Sequence, residues 1–325
     1  MHAVVIGEGG APESMEWAEV PDAVAGPGEV LVRVAAAGIN RADLLQRQGF
    51  YPPPTGAPEW MGLECSGVVT ALGSGVSSVS VGDEVCCLLA GGGYAELVAV
   101  PVGQVMTIPH GVELVTAAGL PEVACTVWSN LMMVTTLQAG EWLLIHGGGS
   151  GIGTMAIQIA RLVGARVAVT AGSDHKLQVC AELGAEVLIN YREQDFVEHM
   201  HEVTGGRGTD VIFDNMGASY LARNIECLAP DGRLVIIGMQ GGVKAELDIN
   251  CLLLKRGTIH ATSLRARPLD QKADVCAQVQ RFVWPWIEAG VVTPVIDRVL
   301  PISEVAAGHI ALKSGDATGK ILLSM

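Results

Sequence analysis

The chain is poor in aromatic residues (4%) and in charged residues (17%), and its charge is lopsided, with 20 Lys and Arg against 34 Asp and Glu for a formal net charge of −14. So few aromatics leave no evident stacking platform for single-stranded nucleic acid. An acidic surface repels a phosphate backbone, so no nucleic-acid partner is expected. No run of 18 apolar residues occurs, so no membrane span is expected. The apolar run at residues 1–7 is too short for a signal peptide. The eight cysteines, at 65, 86, 87, 125, 180, 227, 251 and 276, form neither a C-x-x-C pair nor a Cys/His zinc cluster. They read as buried small hydrophobes of a cytoplasmic protein, with no metal site expected.

What is present suits a well-buried α/β protein: 325 residues, half of them hydrophobic, enough for two domains. The first 120 or so residues look β-rich, with short strands expected at 29–35, 64–71, 84–89 and 94–100 between Gly, Pro and Ser turns. From Pro121 onward strands and helices alternate. Strands at 142–146, 166–170, 186–190, 210–215, 232–238 and 258–263 predict a six-stranded, doubly wound parallel sheet. Residues 273–289 read as a helix broken or kinked at Pro285, and 319–323 as a last strand returning to the first domain.

The densest signal lies at 142–170: a buried strand, the glycines 147, 148, 149, 151 and 153, a helical run to Leu162, a stop at Gly164, and a second strand. Strand, glycine turn, helix, strand is the unit that holds a dinucleotide pyrophosphate against free amides and the positive end of a helix dipole. Gly148 and Gly153 fit the first and third glycines of G-x-G-x-x-G, while Ser150 stands at the second and Gly151 follows it. The serine narrows the backbone approach but can offer a hydroxyl to a phosphate. The plain alternative is an ordinary glycine-rich turn of another α/β protein.

Cofactor choice turns on the end of the second strand, where an NAD-preferring site has Asp or Glu for the ribose 2′-hydroxyl. Gly172 holds that place, which leaves room for a 2′-phosphate with Ser173 to donate and Lys176 to pair. NADPH is therefore expected over NADH. Asp174 is the competing acidic residue if the strand ends two positions later, and Lys176 also reads as a solvated helix-face lysine. In the first domain Asn40 can orient a ribose or carbonyl group, and Tyr51, just before Pro52, Pro53 and Pro54, can donate a proton to a developing oxyanion. Asn40 equally suits a helix N-cap, and Tyr51 a rim packed on prolines.

The segments Asn40-Arg41-Ala42-Asp43, Gly62-Leu63-Glu64, Ala118-Gly119-Leu120-Pro121-Glu122, Leu144-Ile145-His146 with Ser150-Gly151-Ile152-Gly153, Thr170-Ala171-Gly172-Ser173, Asn190-Tyr191 and Gly319-Lys320-Ile321 together make the chain resemble the zinc-free medium-chain dehydrogenase/reductases. Within them it is similar to the zeta-crystallin-like NADPH:quinone oxidoreductases, in the branch of the tumour-suppressor-inducible quinone oxidoreductase. The resemblance implies a GroES-like β-rich barrel domain (1–120 and 267–325) and a Rossmann NADPH-binding domain (121–266), with the nicotinamide in the cleft between them. In zinc-dependent relatives a Cys ligand sits at the position of Asn40 and a His ligand at that of Leu63; both are replaced here, and the four-cysteine zinc loop is absent. Glu64 matches a carboxylate common to both branches, read as structural and hydrogen-bonded near the domain junction.

Carried over by position, the resemblance puts Asn40, Tyr51 and Thr126 around the nicotinamide or acceptor, and Ser150, Gly151, Ile152 and Gly153 on the pyrophosphate. Ser173, Lys176 and Tyr191 fall on the 2′-phosphate, Asn215, Gly238 and Met239 on the ribose side, and Ser263 and Leu264 on the carboxamide side. Leu45 stands where some members have a second tyrosine, so any proton-donor role falls on Tyr51 or water. The expected activity is metal-free hydride transfer from NADPH to a quinone. The alternatives are NADPH-dependent reduction of an activated C=C bond in an enone, enal or enoyl thioester, and a non-enzymatic NADPH-binding protein. The strand at 258–263 is an expected sheet edge, which the resemblance pairs with a second copy in a homodimer, with a tetramer possible.

Overall fold

The computed structural model describes residues 1–325. The chain divides into two compact units, Met1–Cys125 with Leu264–Met325, and Thr126–Ser263.

In the first unit the strands Ile296–Pro301, Lys320–Ser324, Glu29–Gly38, Glu64–Leu72, Glu84–Leu88 and Val105–Thr107 lie side by side, and Leu97–Pro101 also pairs with Glu29–Gly38. Neighbours run antiparallel except the first two, which are parallel. The alternation along Glu29–Gly38 turns Val30, Val32 and Val34 into a core with Val69, Val85, Val98, Val100, Ile321 and Leu323. The strand expected at 94–100 begins later, at Leu97. Tyr94 donates its N–H to Met61 O, while the Tyr94 carbonyl and the Glu96 N–H bond the first strand at Val4 and His2. That first strand, His2–Ile6, makes a hairpin with Met15–Glu19.

The second unit carries the expected six strands, numbered here β1 (Trp142–His146), β2 (Arg166–Ala171), β3 (Val187–Asn190), β4 (Thr209–Asp214), β5 (Leu228–Ile236) and β6 (Thr258–Ala261). All pair in parallel in the order β3-β2-β1-β4-β5-β6. The order reverses between β1 and β4, and that reversal opens a crevice at the strands' carboxyl ends, where ligands of such sheets bind. β1 and β4 are buried throughout, and each carries an apolar run, Trp142 to Ile145 in β1 and Val211 to Phe213 between two aspartates in β4. The helix α1 (Gly151–Leu162) joins β1 to β2, and α2 (Asp174–Glu182) joins β2 to β3.

The helix expected at 273–289 is two helices, Leu269–Phe282 and Trp284–Glu288. The break falls at Val283 because Pro285 is accommodated in the first turn of the second helix, where its missing N–H costs nothing. No helix is long and apolar enough to cross a membrane.

One buried group makes stability pH-dependent. His309, on the helix Val305–Ser314, is fully buried, and neither ring nitrogen has a hydrogen-bond partner. Burial, reinforced by the Arg47 guanidinium, pushes its pKa down from 6.5 to about 3. Unfolded, the ring takes a proton near pH 6.5; folded, it stays neutral until about pH 3. The unfolded state therefore binds the extra proton below pH 6.5, and this side chain's effect is to remove stability as pH falls from there. His309→Met is expected to stabilise the protein by about 1–3 kcal/mol at pH 8, through loss of the unpartnered nitrogens. The gain should grow by about 2 kcal/mol at pH 5. Urea melts at the two pH values check this, and an equal gain at both would refute the titration argument.

Candidate functional site

In the second unit the candidate residues other than Thr126, which lies in the helix Pro121–Trp128, fall at or beyond the carboxyl ends of successive strands. β1 ends at His146, and Gly147 turns the chain with φ +74°, a left-handed conformation that favours glycine. Both Gly147 and Gly148 donate their N–H groups to Thr170 O on β2. A Cβ on Gly148 would stand 2.7 Å from Val169, and one on Gly153 would stand 2.5 Å from the carbonyl oxygens of Gly147 and Gly148. The strand, the turn and α1 pack too closely for any side chain there. Ser150 caps α1, its Oγ accepting from Gly153 N at 3.0 Å. Accepting that bond leaves the hydroxyl hydrogen for an outside oxygen. The N–H groups of Gly151 and Ile152, in the first helical turn, have no carbonyl of their own helix to reach. Together with the helix dipole they are suited to hold an anion.

β2 ends at Ala171, so Gly172 is the first residue beyond the strand. Asp174 is the first residue of α2 and Ser173 its N-cap, which removes Asp174 from the strand-end position. A Cβ on Gly172 would stand 2.5 Å from the Tyr191 hydroxyl. The space an acidic side chain would need is thus filled by a tyrosine that follows β3. The Lys176 stem runs beside the glycine turn, where a Cβ on Gly149 would meet it at 3.1 Å. Gly172, Ser173, Lys176 and Tyr191 are therefore brought together next to the turn.

At the end of β4, Asp214 accepts from Met216 N at 2.8 Å and Gly217 N at 2.9 Å, and burial raises its pKa. This clamp fixes Asn215, whose buried Oδ1 has no partner. Gly238 beyond β5 approaches so closely that a Cβ would stand 2.8 Å from Asn215 O, and half-exposed Met239 follows it. Ser263 lies just beyond β6. Thr126 O accepts from Asn130 Nδ2 at 2.8 Å, and Asn130 Oδ1 accepts from Thr262 Oγ1 at 2.6 Å, which ties Thr126 to the end of β6. Asn130 lies in a π-helical turn, Ser129–Val134, a local irregularity frequent at functional sites. His146, locked between Thr170 Oγ1 and Asn224 Oδ1, is held neutral by burial, its pKa pushed down to about 4.

The first unit holds Asn40, Tyr51 and Leu264, with Asn40 and Tyr51 on different partners. Asn40 is the N-cap of the helix Arg41–Arg47, and the Asp43 carboxylate reaches back to its N–H at 2.8 Å. The Asn40 side chain is engaged elsewhere. Nδ2 donates to Glu64 Oε1 at 2.9 Å and to Gly38 O, and Oδ1 accepts from Lys320 Nζ at 2.7 Å. Lys320 Nζ also pairs with Glu64 Oε1 at 2.5 Å and donates to Ile39 O. Glu64 Oε2 accepts from Glu122 N at 2.9 Å. Burial first, then the Glu64 charge, pushes the Glu122 carboxyl up to about 8, and burial pushes Asp43 up to about 6. Tyr51 O accepts from the Arg265 guanidinium, which lies over its ring. Leu264 is buried. No three His, Cys, Asp or Glu side chains converge as a metal-ligating group.

The sequence reading missed Gly147, Asp214, Asn130, Lys320 and Arg265 as site-building residues. Gly147 was the first glycine after the strand, and Lys320 stood in a motif already singled out. Nothing local marks Arg265, whose partner Gln46 is 219 residues away.

Comparison with known proteins agrees with this architecture. Residues 26–110 match the alcohol dehydrogenase GroES-like domain and residues 151–279 the zinc-binding dehydrogenase domain. A 2-haloacrylate reductase from Burkholderia sp is 31% identical over 326 residues, covering 99% of this chain and 98% of that protein. Among solved structures, an NAD-dependent alcohol dehydrogenase superposes with a TM-score of 0.88 at 31% identity over all of both chains. The Escherichia coli quinone oxidoreductase complexed with NADPH does so with a TM-score of 0.88 at 28% identity, again over all of both chains. Full-length similarity at this level, over a GroES-like unit and a six-stranded dinucleotide-type sheet, places the chain in the medium-chain dehydrogenase/reductase family of oxidoreductases.

Proposed function

We propose that this protein binds NADPH and uses it to reduce a quinone by hydride transfer without a metal, as a zinc-free, zeta-crystallin-like member of its family. In this reading residues 1–120 and 267–325 form the catalytic domain and 121–266 the NADPH-binding domain. The observation that carries the cofactor assignment is the Tyr191 hydroxyl standing where an acidic residue at 172 would be, with Ser173 and Lys176 beside it. The unpartnered Asn215 Oδ1 and the glycine cradle fit a nucleotide that supplies its own donors and phosphates. Gly148, Ser150, Gly151, Ile152 and Gly153 would hold the pyrophosphate, and Ser173, Lys176 and Tyr191 the 2′-phosphate. Asn215, Gly238 and Met239 would border the ribose, and Ser263 and Leu264 the carboxamide. When bound, NADPH supplies the hydride.

Two observations support metal-free chemistry. Leu63 is a buried hydrocarbon with no donor atom, and Asn40 Oδ1 is taken by an ammonium group. Lys320 already puts a positive charge among the oxygens of Ile39, Asn40 and Glu64, which disfavours a second cation there. A quinone accepts a hydride readily because its product is aromatic. The protein then mainly orients two rings and excludes competing water. Asn40 and Thr126 would orient the reacting groups, and Tyr51 or water would deliver the proton. Tyr51→Phe is expected to lower kcat on quinones about 10-fold or less, because water can substitute.

The second reading, reduction of an activated C=C bond, is favoured by the similarity to a 2-haloacrylate reductase. There the carbanion or enolate needs a proton, and Tyr51→Phe is expected to lower kcat about 100-fold. NADPH oxidation by the purified protein with 1,4-benzoquinone, a 1,2-naphthoquinone, an alkenal and an enoyl-CoA, each repeated with NADH, separates the readings. Turnover only on the last two moves the assignment to C=C reduction. Tight NADPH binding with no turnover favours the non-enzymatic alternative. Lys176→Ala should weaken NADPH about 10-fold, the worth of one charged hydrogen bond, and leave NADH nearly unchanged; equal effects on both would defeat the 2′-phosphate assignment.

The same reading includes a homodimer. β6 is the last strand of its sheet, and the helix Ile249–Lys255 before it buries none of its residues while exposing Ile249, Leu253 and Leu254. A free edge beside exposed apolar side chains calls for a cover. Light scattering should give twice the chain mass, and Leu253→Asp/Leu254→Asp should shift it to one.

A further inference from the structure

We propose that Arg265 is a positioning residue for Tyr51, fixing the loop that carries the phenol and keeping a positive charge over its ring. The inference rests on the reading of Tyr51 as proton donor and deepens it.

Arg265 is 4% exposed. Its Nε donates to Ala90 O at 2.7 Å, Nη1 to Tyr51 O at 3.1 Å and Nη2 to Gln46 Oε1 at 2.7 Å. Its Cζ lies 5.2 Å from the centroid of the Tyr51 ring. Gln46 in turn donates to Glu59 O at 2.8 Å, so the loop carrying Tyr51 is clasped both at Tyr51 and at its far end. None of the three partners of the guanidinium is a carboxylate. Hydrogen-bonding a buried cation to neutral oxygens costs stability, and burial lowers the Arg265 pKa, against which Tyr51 first and then the more distant Asp43 and Glu122 act. Tying loops together can be done by a neutral donor, so the clasp does not account for the charge. Of the groups that favour the charge, the Tyr51 ring lies directly beneath it and has the largest effect. An aromatic face attracts a guanidinium, and a phenol that gives up its proton leaves a negative charge that the guanidinium offsets.

Arg265 also follows Leu264, which is proposed to border the cofactor carboxamide. In the C=C reaction a hydride adds to the β-carbon and the alkene electron pair becomes an enolate. The Tyr51 O–H bond then breaks, its proton goes to the α-carbon, and the phenolate regains a proton from water. One NADPH and one proton are consumed. A quinone product can take its proton from water directly, so Arg265 should matter more for an alkenal than for a quinone.

The test compares Arg265→Gln, Arg265→Lys, Tyr51→Phe and the Tyr51→Phe/Arg265→Gln pair, with NADPH binding followed by fluorescence. Arg265→Gln should lower kcat on an alkenal about 10- to 100-fold, lower it far less on 1,2-naphthoquinone, and leave NADPH affinity unchanged. The double variant should be no slower than Tyr51→Phe alone, because both changes act through one group. Losses that multiply would overturn the proposal. Ring placement has a readout independent of turnover. The chain has four tyrosines, so ¹³Cζ-tyrosine NMR, assigned with Tyr51→Phe, follows Tyr51 alone. Arg265→Gln should move that resonance and leave the other three. If it stays in place, Arg265 does not position Tyr51. A protein that turned over no acceptor would defeat the reductase reading, while the resonance would still decide this one. Should Arg265→Gln fail to fold, Arg265→Lys keeps the charge and loses the fork. It should then move the resonance and regain only part of the alkenal kcat, and wild-type values for both would overturn the proposal.

Discussion

Lys320→Met should lower stability by about 3–5 kcal/mol, the usual loss when one partner of a buried ion pair is removed. Glu64 is fully buried, and Lys320 is the cation paired with it. The remaining bonds to the Glu64 carboxylate come from Asn40 Nδ2 and Glu122 N, neither of them charged. Glu122 already responds to this charge, its carboxyl being pushed up to about 8 by burial and by Glu64. Without the ammonium, Glu64 must protonate, stay charged in a dry site, or let water in. Each course costs stability. The change would also free Asn40 Oδ1, and with it one restraint on a residue proposed to orient the acceptor. Urea unfolding checks the magnitude. The Glu64→Gln/Lys320→Met pair checks the cause, because removing both charges should recover part of the loss. A single-variant loss below about 1 kcal/mol, the range of exposed pairs, or a double variant no more stable than the single, would show that the pair is not what holds this corner.

The contrast between β1 and the strand Ile296–Pro301 shows what the sequence can reveal. β1 is buried along its whole length beside parallel neighbours, so it reads as Trp-Leu-Leu-Ile, apolar up to the closing His146. Ile296–Pro301 is at the edge of its sheet with Asp297, Arg298 and Val299 turned partly or wholly to solvent, and its partner is Lys320–Ser324. Edge burial leaves little periodicity, and the strand went unread, as did the helix Val305–Ser314 that follows it. The candidate site divides in the same way. The glycine turn was legible because backbone approach at Gly148 and Gly153 excludes every other residue type. The Glu64–Lys320–Asn40 cluster was only half legible: its residues stood in three singled-out motifs, but the pairing of residue 64 with 320 is made by the return of the last strand, not by spacing. Arg265 had no motif at all. Its meaning lies in three acceptors drawn from distant parts of the chain.

Gly172→Asp is expected to reverse the cofactor preference. The new Cβ would stand 2.5 Å from the Tyr191 hydroxyl, so the tyrosine must move. Tyr191 is 46% exposed and can swing outward, so the fold should survive. What it leaves behind is a carboxylate in the space assigned to the 2′-phosphate. NADPH then loses the Tyr191 contact and meets a like charge beside Ser173 and Lys176. Two such charged interactions at about 1.5 kcal/mol each come to about 100-fold in affinity. NADH offers the same carboxylate a ribose hydroxyl and should bind as well as before or better. Tyr191→Phe separates the two contributions, since it keeps the ring over Gly172 and removes only the hydroxyl; its expected loss for NADPH is about 10-fold, one hydrogen bond to a charged group. Fluorescence titration of both cofactors against the three proteins gives the answer. If Gly172→Asp kept wild-type NADPH affinity, the 2′-phosphate could not lie at Gly172, Ser173 and Tyr191, and the cofactor assignment would have to be rebuilt from the glycine turn alone.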